Sequence, residues 1–282
     1  MDSYKIIQVQ TGQPGEPLSL CRIYAYDSIT STNAKALEMA ALGEPEGIVV
    51  TADEQTAGRG RRGRGWFSPP GEDIYLSILL RPQVEAEKAS RLTLVAAAAV
   101  RDAIIKTVCG TDSAQNIQQT APESRYRIKW PNDIVADGKK LCGILTETRM
   151  EGMSIEAVVI GIGINVNNSA FPEEIRGIAT SLSCEEGRRF DRMQLIKKLL
   201  ESFAEKYALF LQTGDLSGLC DTYNSSMAGT HRQAVLSGPG WEKTGTILGI
   251  DETGALLLQL LDGSTEHVIS GEVSLRGIEG YI

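Results

Sequence analysis

The sequence is poor in the residues that bind metals. It has only two histidines, His231 and His267, and its five cysteines are widely spaced without a CxxC pair. Zinc sites need clustered histidine and cysteine ligands, so this composition argues against a zinc site. An odd number of scattered cysteines is typical of reduced thiols. We therefore predict a cytoplasmic protein whose own residues hold no metal firmly.

Long apolar runs and export signals are also missing. Residues 1–15 are neither basic nor apolar, so they do not resemble a secretory signal. The most apolar helical run, residues 92–100, lies between Arg91 and Arg101 and is far too short to cross a bilayer. We expect no membrane-spanning segment.

Positive charge is scarce overall, with 28 Lys and Arg against 36 Asp and Glu and a net charge of −8. An acidic protein is not suited to coating nucleic acid or an anionic membrane. Residues 58–65, which read GRGRRGRG, are the local exception, and we name them the arginine loop. So dense a positive cluster in an acidic chain predicts a site for one small anionic ligand.

Periodicity predicts a mixed α/β domain over residues 1–228 and a small β-barrel over residues 229–282. Ser31, Thr32 and Asn33 are typical of a helix cap. Strands are predicted near residues 47–51, 74–81, 125–130, 141–148 and 156–166, and long helices over 86–108 and around 195–210. Residues 110–124 read as a flexible surface loop with no functional explanation. The last fifty or so residues contain short β-runs separated by hairpin turns.

The arginine loop admits several interpretations. Gly58, Gly60 and Gly63 match the GxGxxG dinucleotide fingerprint, but Pro69 and Pro70 follow and forbid the helix that this fingerprint must open. An RGG-like nucleic-acid segment and a solvated turn are two alternatives. We favour a phosphate loop, because glycine lets backbone N–H groups approach an anion and arginine stays charged. Such a loop would be mobile when empty and would order around an anion.

Two further stretches carry candidate functional residues. In the turn KWPND, Asn132 could read a nucleotide edge, and Asp133 could hold magnesium or pair with a basic group, although plain turn chemistry is the alternative. Lys140 stands where a strand begins. This is a position typical of a functional lysine, and the alternative is an exposed charge at a sheet edge. Gly161, Gly163 and Asn165 share one strand face, which either leaves room for a ligand or marks a bulge.

Taken together, these motifs resemble the biotin protein ligases, also called biotin–[acetyl-CoA-carboxylase] ligases. The resemblance runs from about Arg22 over nearly the whole chain and includes residues 254–258 and 271–276. It rests on five stretches that occur in this order: STN (31–33), QTAGRGRRGRGWFS (55–68), KWPND (129–133), KLCGIL (140–145) and GIGIN (161–165). It implies a mixed-sheet, class II synthetase-like catalytic domain with a C-terminal SH3-like β-barrel.

The resemblance also implies the chemistry. Biotin would be activated by ATP and Mg2+ as biotinoyl-5′-AMP and then transferred to a lysine of a biotin carboxyl carrier protein. Arg61 and Lys140 would be catalytic, and magnesium would lie near Asn165 or Asp133. The implied biotin-binding residues are Ser31, Thr32, Asn33, Gln55, Gly58, Arg59, Gly60, Arg61, Lys140 and Gly143. The implied residues for ATP and the adenylate are Arg59, Arg61, Arg64, Trp66 (stacked on adenine), Asn132, Asp133 and Asn165.

Some relatives of this kind carry an N-terminal winged-helix domain and repress transcription. About twenty residues precede the matching region here, so we expect a monofunctional ligase that binds no DNA. Dimerisation through an exposed sheet edge stays open. Two rival functions remain: a lipoate–protein ligase, which shares the fold and the adenylation chemistry, and a nucleic-acid-binding module that uses the arginine loop.

Overall fold

A computed structural model describes residues 3–110, 122–238 and 240–269, together with the backbone of 274–277. Most of the loop predicted at 110–124 lies outside these residues. Residues 122–124, at the end of the predicted loop, are helical instead, because they belong to a short helix, Pro122–Arg125 (α3). Arg101 fixes this helix by donating from Nη2 to the backbone oxygen of Glu123 at 2.8 Å.

One large sheet of eight strands organises the chain, in the order β1-β2-β3-β4-β8-β7-β6-β5. All neighbouring strands are antiparallel except β2 and β3, which run parallel. The predicted mixed α/β sheet is therefore confirmed. The strands are β1 (Tyr4–Gln10), β2 (Leu20–Ile29), β3 (Ile48–Gln55), β4 (Ile74–Leu80), β5 (Tyr126–Lys129), β6 (Asp133–Ala136), β7 (Lys139–Glu151) and β8 (Ser154–Ile164).

Helices cover both faces of this sheet. On one face, α1 packs through Ala36 and Ala40 against β3, β4 and β8. On the other face, α2 lies between the sheet and α6, so it is buried nearly all round rather than along the single stripe that its sequence suggested. The helices are α1 (Thr32–Ala41), α2 (Leu92–Val108), α4 (Glu173–Arg176), α5 (Leu182–Glu186), α6 (Arg192–Thr213) and α7 (Cys220–Ser226).

Several boundaries differ from the predicted ones. The helix predicted from residue 86 begins as a 3-10 turn, Ala86–Arg91, before α2. Asp133, which was predicted to lie within the KWPND turn, is the first residue of β6. Within the described residues, no helix combines the length and the apolar character that a membrane span needs.

The C-terminal strands form a second, antiparallel sheet in the order β12-β11-β10-β9-β13, which fits the predicted SH3-like unit, although this sheet does not close into a barrel within the described residues. Trp130 joins it to the large sheet, because its buried Nε1 donates to the backbone oxygen of Gly254 at 3.2 Å. The domain boundary at residue 228 stays a prediction. The strands are β9 (Gln233–Gly238), β10 (Trp241–Ile250), β11 (Leu256–Leu260), β12 (Thr265–Val268) and β13 (Ser274–Gly277).

Candidate active site

A cavity of about 720 Å³ opens where the arginine loop crosses the ends of β7 and β8. The start of α1, the end of β3, the KWPND turn and the segment of residues 171–179 complete its walls. Every site residue predicted from the sequence lines this cavity except Gly58. The predicted residues in the lining are Ser31, Thr32, Asn33, Gln55, Arg59, Gly60, Arg61, Arg64, Trp66, Asn132, Asp133, Lys140, Gly143 and Asn165.

The cavity floor is made of glycines on two paired strands. Gly143 of β7 stands opposite Gly163 of β8 in a regular register, so these glycines do not mark a bulge. The Trp66 ring lies directly on them: a Cβ on Gly163 would come within 2.5 Å of this ring, and one on Gly143 within 2.8 Å. Glycine is required here because the indole approaches the backbone so closely.

Trp66 has one unusual polar atom. Its Nε1 is buried and has no hydrogen-bond partner among the described residues. Buried polar groups are normally bonded, so this N–H is open to an acceptor that a ligand brings. Stacking of Trp66 on adenine stays a prediction.

The arginine loop folds as a short hairpin rather than as a turn into a helix. Arg59 and Gly65 form an antiparallel bridge, and the Trp66 N–H donates to the Gly58 oxygen at 2.9 Å. The tip is a 3-10 turn, in which Arg62 and Gly63 have φ values of 59° and 70°. Gly58 lies at the root of the hairpin outside the cavity, where a Cβ would come within 2.6 Å of the Ser68 Oγ.

Arg61 reaches across the cavity from the loop. Its Nη1 donates to the Asn132 Oδ1 at 2.6 Å. Burial lowers the pKa of Arg61, while the nearby Asp133 carboxylate acts in the opposite direction. A guanidinium titrates so far above neutrality that Arg61 stays charged. The Asn132 Nδ2 in turn lies 3.0 Å from the Asp133 Oδ1 and 3.2 Å from the Ile144 oxygen, so the acceptor of Arg61 is fixed.

Lys140 faces the cavity and is not an exposed edge charge. Its Nζ forms an ion pair with the Asp133 Oδ1 at 2.8 Å and lies 5.4 Å from the centre of the Trp66 ring. A register shift between β6 and β7 occurs beside Lys140, and such irregularities redirect side chains. Its backbone N–H donates to the Ile178 oxygen at 2.7 Å. This lysine is therefore positioned by β6, by β7 and by the segment around residue 178.

The opposite end of the cavity is polar, and its groups at Thr32 and Gln55 are uncharged. The Thr32 N–H and hydroxyl both donate to the Gln55 Oε1, at 2.9 and 3.1 Å. Ser31 caps α1, and its Oγ accepts from the Ala34 N–H at 3.4 Å. The cap predicted from the sequence is therefore confirmed. This end offers donors and acceptors suited to a neutral polar group.

Two side chains that were predicted to contact ligands are hydrogen-bonded to other groups of the protein. The Asn165 Nδ2 donates to the Thr180 oxygen at 2.9 Å. The Asn33 Nδ2 donates to the Glu147 Oε2 at 2.7 Å, and the Asn33 Oδ1 lies 2.6 Å from the Ser77 Oγ. Sequence reasoning missed Glu147 and Ser77. A signal for Ser77 exists, since it is the one serine in the buried run IYLSILL of β4.

The cavity is strongly basic within an acidic chain. Its lining contains six basic residues and one acidic residue, Asp133. Charges that are partly buried in protein interact more strongly than charges in water, so this imbalance favours anionic ligands. The basic residues are Arg59, Arg61, Arg62, Arg64, Lys129 and Lys140.

Comparison with known proteins agrees with this fold. Residues 25–165 match the biotin/lipoate A/B protein ligase family, and residues 234–276 match the biotin protein ligase C-terminal domain. The chain belongs to the biotin/lipoate A/B protein ligase family.

Several similar proteins are named as biotin ligases. The chain is 38% identical to the bifunctional ligase/repressor BirA of Bacillus subtilis, over 95% of this chain and 78% of that protein. It is 37% identical to the biotin–[acetyl-CoA-carboxylase] ligase of Paracoccus denitrificans, over 81% of this chain and 90% of that protein. The biotin protein ligase of Aquifex aeolicus, solved with biotin and ATP, superposes with a TM-score of 0.74 at 30% identity, covering 90% of this chain and 98% of that chain.

Proposed function

We propose that this protein activates biotin with ATP and transfers it to a lysine of a biotin carboxyl carrier protein. One observation carries the proposal: a single cavity joins a neutral polar end at Thr32 and Gln55 to a basic end at Arg61 and Lys140. Biotin has the same polarity, with an uncharged ureido ring at one end and a carboxylate at the other.

In the first half-reaction, a carboxylate oxygen of biotin attacks the α-phosphorus of ATP and pyrophosphate leaves. Two anions must meet, and negative charge grows on the phosphate in the transition state. Arg61 and Lys140 would hold both groups together and neutralise this charge. Their partners Asn132 and Asp133 fix where these cations stand before the substrates arrive.

In the second half-reaction, the lysine amine of the carrier attacks the carbonyl carbon of the adenylate and AMP leaves. The mixed anhydride must first be protected from water. The arginine loop lies over the cavity and would serve as its cover. In this proposal Ser31, Thr32 and Gln55 bind the ureido ring, and the glycine floor leaves room for the chain that joins the ring to the carboxylate.

Magnesium would enter with ATP, because it is usually held by substrate phosphates and one or two carboxylates. Asp133 is the acidic residue in the cavity lining and suits that role once ATP competes for Lys140. All five cysteines are thiols, which supports a cytoplasmic location. A homodimer through the β1 edge is supported by Tyr4 and Ile6, each about half exposed there.

The test is a single-turnover assay. The protein is mixed with biotin, ATP and magnesium, and mass spectrometry looks for biotinoyl-5′-AMP retained on it. A carrier domain is then added to follow transfer. Formation of an adenylate from lipoate instead of biotin would move the assignment to the lipoate ligases, and reaction with neither acid would refute adenylation.

Lys140→Ala tests the basic end of the cavity. We expect adenylate formation to fall at least a hundredfold, as on loss of one group that stabilises transition-state charge. Circular dichroism and the melting temperature would show whether the fold persists. Lys139→Ala is the matched control, because the neighbouring Lys139 is exposed and does not line the cavity. A wild-type rate in Lys140→Ala would refute the role of this lysine.

A further inference from the structure

Glu147 brings two separate parts of the site together on one oxygen atom. It lies on β7 outside the cavity lining, with its side chain 27% exposed. Its Oε2 accepts from the Asn33 Nδ2 at 2.7 Å and from the Arg59 Nη2 at 3.1 Å. The start of α1 and the first strand of the arginine loop are therefore held by the same carboxylate.

The Asn33 amide acts as part of the scaffold. Its Nδ2 also donates to the Leu145 oxygen at 3.2 Å, and its Oδ1 lies 2.6 Å from the Ser77 Oγ. The β8 residue beneath it is Gly161, where a Cβ would come within 2.0 Å of the Asn33 Oδ1. Asn33 is thus fixed on all sides, and it fixes Glu147 in turn.

From Asn33 the contacts continue beneath the cavity. The Ser77 Oγ lies 2.8 Å from the Thr32 Oγ1, and the Thr32 N–H donates to the Gln55 Oε1 at 2.9 Å. The Gln55 Nε2 donates to the Ser68 Oγ at 3.2 Å, and this hydroxyl donates to the Trp66 oxygen at 3.0 Å. The chain of hydrogen bonds starts at the first strand of the loop hairpin and ends at its second strand, passing through the neutral end of the cavity.

We propose that Glu147 is a positioning residue that fixes the first strand of the arginine loop over the cavity. The tip of the loop is fixed separately, by the bond from Arg61 to Asn132. An exposed ion pair alone contributes little, because ordering both side chains offsets the attraction. Here the bond from Asn33 has already ordered the carboxylate, so pairing with Arg59 loses less conformational freedom. The idea that the loop covers an adenylate rests on the proposed function. The anchoring of the loop by Glu147 is independent of that function.

Limited trypsin digestion of the protein without ligands tests the anchor. Arg62 and Arg64 are exposed at the loop, so cleavage after them reports its opening. We expect Glu147→Gln to speed this cleavage about two- to fivefold, the usual range for one partly exposed ion pair. The control is Glu156→Gln, which removes the ion pair with Arg149 on the same two strands, away from the cavity. Equal cleavage rates in wild type and Glu147→Gln would overturn the proposal.

A double-variant cycle separates anchoring from a general loss of stability. If Glu147 acts through Arg59, then Glu147→Gln will add no further cleavage in an Arg59→Gln background. Fully additive effects would contradict the pairing. These digestions need neither biotin nor ATP, so they stand or fall independently of the ligase activity. In the ligase assay we expect Glu147→Gln to release the adenylate two- to fivefold faster than Glu156→Gln, and equal release would contradict a role in retention.

Discussion

Replacing Asp73 with asparagine should make the protein more stable at neutral pH. Asp73 precedes β4 and is 1% exposed. Its Oδ1 accepts from the Val166 N–H at 2.7 Å and from the Asn168 N–H at 3.4 Å. Its Oδ2 is buried without a hydrogen-bond partner among the described residues. Burial raises the pKa of Asp73 from 3.8 to about 6, although the backbone hydrogen bonds act in the opposite direction.

The size and the sign of the effect follow from this raised pKa. A pKa difference of about two between the folded and unfolded chain corresponds to roughly 3 kcal/mol, since each pKa unit is about 1.4 kcal/mol. Between pH 4 and 6 the folded protein holds this proton more tightly than the unfolded chain, so its stability falls as pH rises. Asp73→Asn keeps the Oδ1 acceptor and cannot ionise. We expect the variant to match wild type near pH 4 and to exceed it by about 2 to 3 kcal/mol at pH 8.

Urea unfolding measured from pH 4 to pH 8 would test this prediction. Asp215→Asn is a control of opposite sign, because hydrogen bonds from Ser217 lower the pKa of Asp215. The Asp215 variant should be the less stable protein throughout this range, because its deficit shrinks only as pH falls below the ordinary aspartate pKa of 3.8. A difference between Asp73→Asn and wild type that does not change with pH would refute the reasoning about the buried carboxylate.

Three further variants test the packing of Asn33 on β8, the contact between the two sheets and the arginine loop. Gly161→Ala places a Cβ within 2.0 Å of the Asn33 Oδ1, so it should cost about 1 to 3 kcal/mol in urea unfolding, and unchanged stability would contradict the packing. Trp130→Phe leaves the buried Gly254 oxygen without its donor, and we expect a loss of about 1 to 2 kcal/mol by the same method. Arg61→Gly removes the bond to Asn132, so the adenylate should escape and biotinylate unrelated proteins, measured by streptavidin blotting; retention equal to wild type would count against this.

Sequence reasoning located the cavity well, because its residues occur in short, chemically distinctive stretches. A run of glycine and arginine, a KWPND turn and two glycines on one strand face each signal a site without knowledge of the fold. The network beneath the cavity was not predictable in this way. Glu147 and Ser77 reach Asn33 only because β4, β7 and α1 meet in the folded sheet. No local pattern marks Glu147 as different from other glutamates on an exposed strand.

The fold was predicted less evenly. Long helices and the inner strands were found from their periodicity, whereas β1 and β2 have no counterpart among the predicted elements. In β1 the alternation does not separate core from solvent, since Tyr4 and Ile6 are about half exposed at the sheet edge. β6 is only four residues long and fully buried, so it presents no alternation of polar and apolar residues. Pairing with β5 and β7 creates this strand, and such pairing is set by tertiary structure.

The way in which the cations are held explains how an acidic protein can keep a basic cavity. The Arg61 Nη1 is positioned by a neutral amide, Asn132, so this bond orients the guanidinium without cancelling its charge. Lys140 does pair with a carboxylate, but Asp133 also accepts from the Asn132 amide. One acidic side chain thus organises two basic ones, partly through a neutral intermediary. The cations are held in place before any substrate enters, and the lining keeps the excess positive charge that two meeting anions require.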